Sequence, residues 1–387
     1  MTVSATAGPG PIPSIPVRPR GLDTRSLVFW VSLAAVLVGT LSILAETVYG
    51  LVEAPVVAAV ALLFSLVYGL VAVLFLASRQ LFERRRTSAI VAALIWGGLG
   101  AIGVAGIANG AGDTILIKTA GPLVAETWGP AITAPITEET LKLLGVAVIA
   151  LIAHNAVRST LDGLFFGVLV GLGFQVIEDF SYALTAGAAG GLDDMVTTFL
   201  FRSVLGGLFS HAVYTGITGA GLGYLIARKD KSWAQRIGAA VGLFLLAMGI
   251  HFLWNSPLLN NTIGFFIKSV PALVILLLLL RWARQRDRVE FERVAATSVD
   301  PRLLPPDEAR ELETRKSRKL AQKKTVRAVG PAAKAPVRAL QAAQLDLVNA
   351  ITDEGGGSAS AQLAVLDIER ARQQLSSLAA RGPASRP

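Results

Sequence analysis

TEETLKLLGVAVIALIA (residues 137–153) and TLDGLFFGVLVGLGFQVIEDFSYAL (residues 160–184) decide the fold. Each is apolar enough to span a bilayer, yet the first opens on Glu138, Glu139 and Lys142, and the second carries Glu178 and Asp179. An ionised group at bilayer depth costs at least about 2.5–3.5 kcal/mol on insertion scales, so charge placed there marks function. Glu138 lies four residues before Lys142 and Glu139 three before it, so the three share one helix face.

The rest of the chain agrees with a membrane protein. Hydrophobic residues make up 53% and charged residues 16%, against about 25% charged in soluble domains. The absence of cysteine excludes a thiol nucleophile, a disulfide framework and cysteine metal ligation. The formal net charge is +9, and Arg281–Pro387 supplies 20 of the 36 Lys and Arg against 13 of the 27 Asp and Glu. The basicity therefore belongs mostly to the tail, and no specific nucleic acid is expected as a partner.

A hydrocarbon core about 30 Å thick takes roughly 20 apolar residues per helix. That ruler predicts an all-α, polytopic transmembrane helix bundle of about eight spans, near Leu27–Ala45, Pro55–Ala77, Ser88–Ala108, Ala134–Ala153, Thr160–Leu184, Val196–Ala227, Ile237–Asn255 and Thr262–Trp282. Arg79, Arg84, Arg85 and Arg86 follow the second span, Arg158 the fourth, and Arg228, Lys229, Lys231 and Arg236 the sixth, whereas the alternate loops offer little beyond Lys118. The positive-inside rule then puts both termini in the cytoplasm, with Asp193 and Asp194 outside and the cell membrane as the expected location. Residues 1–26 read as a disordered arm before an uncleaved anchor, 27–282 as the membrane domain, and 283–387 as a basic cytoplasmic tail of short helices on a flexible tether. Its basic run, Arg315 to Lys324, suits anionic lipid head groups or a cytoplasmic partner and equally a solvated surface. Gly163, Gly167 and Gly171 recur at every fourth position and predict a close helix contact.

Polar residues recur at helical spacing in later spans. Phe174 and Glu178 lie four apart, as do His211 and Thr215, and His251, Trp254 and Asn255 share a face. With Glu138 and Glu139 expected about one turn into their helix, four helices bring their exceptional groups to similar depth, mostly in the outer half. A carboxylate beside a histidine can take a proton from water, and an amide such as Asn255 can support an oxyanion, which together suit amide hydrolysis. The same groups suit a proton or ion relay in a transporter, and a non-catalytic adaptor acting through the tail is a third reading. The two-histidine zinc helix and the Gly-x-Ser-x-Gly elbow are both absent.

In the order of these motifs the sequence resembles the PrsW family of intramembrane proteases, related to the CAAX-processing and bacteriocin-processing membrane proteases. Glu138-Glu139-x-x-Lys142, Phe174-x-x-x-Glu178, His211-x-x-x-Thr215 and His251-x-x-Trp254-Asn255 carry the resemblance, over about Thr133 to Asn255. It implies cleavage of a membrane-anchored protein near or within the bilayer, an anti-sigma factor in the namesake's case. It also implies that Glu138 or Glu139 is the base, His251 positions water and Asn255 supports the oxyanion. Glu178 is a departure, because the prenyl-protein proteases carry histidine there. The family is often labelled a metalloprotease, and Glu178, His211 and His251 offer nitrogen and oxygen ligands of the kind zinc accepts. His211 lies too deep for that set unless its helix is tilted or broken.

Overall fold

The computed structural model describes residues 21–78, 87–153, 156–206 and 210–381, and these are helical with no strand among them. Arg18, Arg20 and most of the expected N-terminal arm, Arg79, Arg84, Arg85 and Arg86, and the third histidine, His154, lie outside the described residues. The described chain divides into a membrane unit, 21–287, and a C-terminal unit, 288–381.

The membrane unit comprises α1 (Leu27–Glu53), α2 (Pro55–Ser78), α3 (Thr87–Ala120), α4 (Pro122–Ile152), α5 (Thr160–Gly190), α6 (Leu192–Phe199), α7 (His211–Ala227), α8 (Trp233–Asn255) and the start of α9 (Thr262–Thr297). Seven segments are long and apolar enough to cross a membrane. On α1 and α2 the large apolar side chains, such as Leu37, Leu41, Leu63, Leu66 and Leu70, stay exposed, and a helix apolar on all sides belongs in lipid. α4 holds the fourth expected span, which is not among the seven. Its 31 residues reach about 46 Å at 1.5 Å per residue, but its charged residues keep it out of the seven.

Three boundaries depart from expectation. α4 starts at Pro122, twelve residues before Ala134, so Glu138 sits about 24 Å along the helix instead of one turn in. Gly121, at φ 90°, makes the turn from α3, and proline at the first helical position loses no bond. The sixth expected span is not one helix: α6 passes into a π-helical stretch at Leu200–Gly206, Ser210 is non-helical, and His211 begins α7. The expected disordered arm is also ordered from Gly21 to Ser26, where the Asp23 amide donates to the Ile152 carbonyl over 2.7 Å.

Small residues set the spacing around the site. A Cβ on Gly163, Gly167 or Gly171 would strike the carbonyl of Gly219, Thr215 or His211 respectively, so the expected glycine face is where α5 meets α7. The π-helical stretch Trp96–Ala101 inside α3 brings Gly97 against the Val170 carbonyl of α5, while Trp96 Nε1 donates to the Leu141 carbonyl of α4 over 2.9 Å. Helix α5 thus meets α3 and α7 with almost no side chain between backbones, while the Trp96 indole fills the space between α3 and α4.

The C-terminal unit contains α10 (Pro306–Leu312), α11 (Arg315–Val329), α12 (Lys334–Glu354) and α13 (Ala359–Ala380). Within this unit the short helices pack on one another. Leu304, Leu312, Leu340, Leu347, Val348 and Ile368 form a common core, and Arg372 pairs with Glu308 at 2.8 Å.

Candidate active site

Glu138, Glu139 and Lys142 stack on one side of α4, as their spacing requires, and all three are buried. The Lys142 ammonium donates to Glu138 Oε2 at 3.1 Å and to Glu139 Oε1 at 3.0 Å, and it lies 2.8 Å from His211 Nδ1. The Phe174 ring lies 3.8 Å below it. A lysine so placed is compensated on every side, which is what burial of a charge demands.

The break before α7 is what delivers His211. As the first residue of its helix it reaches back to α5, where its Nε2 lies 2.6 Å from Glu178 Oε2. A carboxylate only accepts, so Nε2 carries the proton and Nδ1 presents its lone pair to Lys142. His251 is oriented the same way by a different glutamate. Its Nδ1 lies 3.0 Å from Glu139 Oε1, while Nε2 receives the Asn255 amide at 3.2 Å. Both imidazoles are therefore fixed in one tautomer, with the unprotonated nitrogen turned toward Glu138. Their rings stand 5.1 Å apart.

Glu139 Oε2 is buried and has no hydrogen-bond partner among the described residues. It is the open acceptor in a site where every other carboxylate oxygen of Glu138 and Glu139 meets a donor. Glu138 Oε1 receives the Asn109 amide at 3.2 Å, and the Asn109 carbonyl in turn accepts from Thr137 Oγ1.

Of the expected residues, Glu138, Glu139, Lys142, Phe174, Glu178, His211, His251 and Asn255 come together. Thr215 and Trp254 do not. Thr215 is buried where α7 meets α5, and Trp254 packs on Phe265 at 5.7 Å. Asn255 gives one amide hydrogen to His251 and the other to the Pro130 carbonyl at 3.0 Å, which ties α8 to α4. Several residues lay outside the sequence reading of the site. Asn109 is one, and Tyr214, stacked 5.2 Å from His251, is another. Arg202 is a third. It binds Glu178 at 2.9 Å and Asp179 at 3.4 Å from the π-helical stretch, where Ser203 also donates to Asp179 at 2.8 Å. A π-helical insertion is a frequent mark of a functional position.

The donors that converge on a point able to hold a metal are Glu138, His211 and His251, with one ligand atom from each within 4.8 Å of the others. Glu138 thus stands where Glu178 was expected, and Glu178 instead orients His211 through its far nitrogen, as carboxylates commonly do behind a metal-binding histidine. Two neutral imidazoles and a carboxylate suit a divalent transition ion. Lys142 Nζ lies among these donors as a cation, 3.1 Å from Glu138 Oε2 and 2.8 Å from His211 Nδ1, so the donor types fit a metal that would compete with this ammonium.

Fold and site together define a polytopic membrane hydrolase with a buried glutamate and histidine centre. The chain belongs to the family described as PrsW family intramembrane metalloprotease, whose model matches residues 85–281 and so takes in every residue of the site. It is a membrane protease. No curated protein and no solved structure matches the chain.

Proposed function

We propose that this protease hydrolyses a peptide bond of a single-span, membrane-anchored protein, of the anti-sigma-factor kind, near the extracytoplasmic side of the cell membrane. Glu139 is the base. The observation that carries this reading is its buried and unpartnered Oε2, held beside two histidines of fixed tautomer. Water gives a proton to Glu139 Oε2 as its oxygen attacks the peptide carbonyl carbon. When the carbon–nitrogen bond breaks, the same carboxyl returns the proton to the leaving amine.

Glu138, His211 and His251 would hold the metal, for which we propose zinc; a bound zinc ion polarises a carbonyl and acidifies water. Lys142 balances the two glutamates, and Glu178 and Arg202 keep His211 in register. Asn255 releases an amide hydrogen to the oxyanion when His251 Nε2 is engaged elsewhere. Arg158, Arg228, Lys229 and Lys231, with Arg236 in the first turn of α8, support a cytoplasmic position for the connections beside them, and hence for both termini.

The test compares proteins shed by cells making wild type, Glu138→Gln or Glu139→Gln at equal membrane abundance. The reading requires a juxtamembrane fragment with wild type and accumulation of its uncut precursor with Glu139→Gln. Release of the same fragment by Glu139→Gln would remove Glu139 as the base.

A further inference from the structure

From Arg315 to Arg338 the sequence holds nine Lys and Arg and no Asp or Glu. That excess equals the formal net charge of the whole chain, +9, so every other part of the protein together is balanced. Most of this charge lies on α11. Thr314 and Ser317 form a reciprocal cap at its start, Arg318 donates to the Leu312 carbonyl at 2.8 Å, and Gln322 bonds Gln341 of α12 at 2.7 Å. Ala321 is buried on the inward side.

With the helix rotated in this way, Lys316, Lys319, Leu320, Lys323, Lys324 and Arg327 are all exposed. Their numbers advance by threes and fours, so they form one stripe about 16 Å long. Lys319 and Lys323 are four apart, as are Lys323 and Arg327, and like charges at that spacing destabilise a helix. Of the acids outside the run, Glu311 acts on Lys324. At the centre of the stripe Leu320 is 57% exposed. A straight row of cations around an apolar side chain matches a surface that is anionic at its face and apolar just beneath.

We propose that this stripe of α11 docks on anionic phospholipid head groups of the membrane in which the same chain is embedded, with Leu320 entering the head-group layer. The occupant follows from charge complementarity and from attachment: the C-terminal unit continues directly from membrane helix α9, so a bilayer is tethered to every copy at high effective concentration. The docking rests on the cytoplasmic assignment of the C-terminus and is independent of the protease chemistry.

The chain has no cysteine, so Leu320→Cys accepts a single environment-sensitive fluorophore. The full-length labelled protein is placed in nanodiscs of phosphatidylcholine alone or with roughly one lipid in three replaced by phosphatidylglycerol. A label at Arg370→Cys, exposed on α13, serves as the control. Docking predicts a blue shift at position 320 in the anionic discs alone, none at 370, and its loss as salt shrinks the Debye length from about 10 Å to about 3 Å. Lys319→Gln with Lys323→Gln should lower the docked-to-free ratio roughly thirtyfold, at about 1 kcal/mol per charge. Equal spectra in both discs would overturn the proposal. So would a shift that appears only when RNA or an acidic protein is added to neutral discs.

Discussion

His251 is held through Nδ1 by Glu139 Oε1 at 3.0 Å and turns Nε2 toward Glu138 Oε2, 3.9 Å away. One imidazole thus joins two adjacent glutamates and separates their roles. Glu139 orients the ring and keeps a free oxygen, whereas Glu138 faces the nitrogens of both histidines.

The first prediction separates the two glutamates. Glu139→Gln should lower the rate of fragment release by about 10²–10⁴, the usual contribution of a positioned acid–base group, while metal content stays unchanged. Glu138→Gln should lose metal together with activity. Paired metal analysis and fragment quantification on purified protein check this, and equal metal loss in both variants would contradict the assignment.

The second concerns Lys142, which shares donors with any bound cation. Lys142→Met leaves the buried Glu138 and Glu139 without their ammonium, and loss of one partner from a buried pair costs about 3–5 kcal/mol. In chelator the variant should therefore melt well below wild type. Added cobalt should restore the melting temperature and bind more tightly than to wild type, with a visible spectrum as the readout. Restoration by cobalt should also fail when His211→Ala is added.

Much of this site was legible because a polar residue in a membrane helix is conspicuous. Glu138, Glu139, Lys142 and Glu178 stand out against apolar neighbours, and their spacing fixes their faces. The start of α4 was hidden for a physical reason. Gly129 and Pro130 favour a helix end just before the expected start, and Pro130 and Pro135 remove the N–H groups that would meet the carbonyls of Glu126 and Ala131. The helix continues through them in the membrane unit, with Thr133 bonding back to the Gly129 carbonyl at 2.8 Å. The break before His211 left only a weak trace, the Gly206-Gly207 pair and Ser210 within a run apolar enough to count as one span. Asn109 was silent because a single amide in a helix of small residues acquires meaning only when another helix brings Glu138 beside it. The tail's helices were legible one by one, but their joint core depends on contacts between distant segments such as Leu312 and Ile368.

Arg202 gives the third prediction. It grips Glu178, which fixes His211, so Arg202→Gln should reduce metal affinity or activity by about 10–100-fold, the range for partners behind a metal ligand. Arg202→Lys keeps the charge but not the two-point geometry, and should recover only part of the loss. A full recovery by lysine would show that charge alone matters at this position.

Asn109→Ala removes the donor from Glu138 Oε1 and leaves a buried carboxylate oxygen short of one bond, at a cost of about 1–3 kcal/mol. The expected result is reduced metal affinity with Glu139 chemistry intact, so high metal concentration should restore fragment release. Asn109→Asp places a second carboxylate against the first and should not be rescued. A variant unaffected at every metal concentration would remove Asn109 from the positioning of Glu138.

The last prediction tests whether close helix approach delivers His211. A Cβ on Gly167 would strike the Thr215 carbonyl, one turn along α7 from His211, and overpacking of this kind costs about 1–3 kcal/mol. Gly167→Ala should lower the melting temperature in detergent and, by pushing α7 outward, weaken the 2.6 Å contact between His211 and Glu178. Gly106, in α3, has open space where a Cβ would stand. Because alanine is the better helix former by about 0.8–1.0 kcal/mol, Gly106→Ala should be neutral or stabilising and leave activity unchanged. If the two variants behave alike, the position of His211 does not depend on the glycine contact between α5 and α7. If only Gly167→Ala loses both stability and metal, the small residues of α5 are part of how the site is assembled.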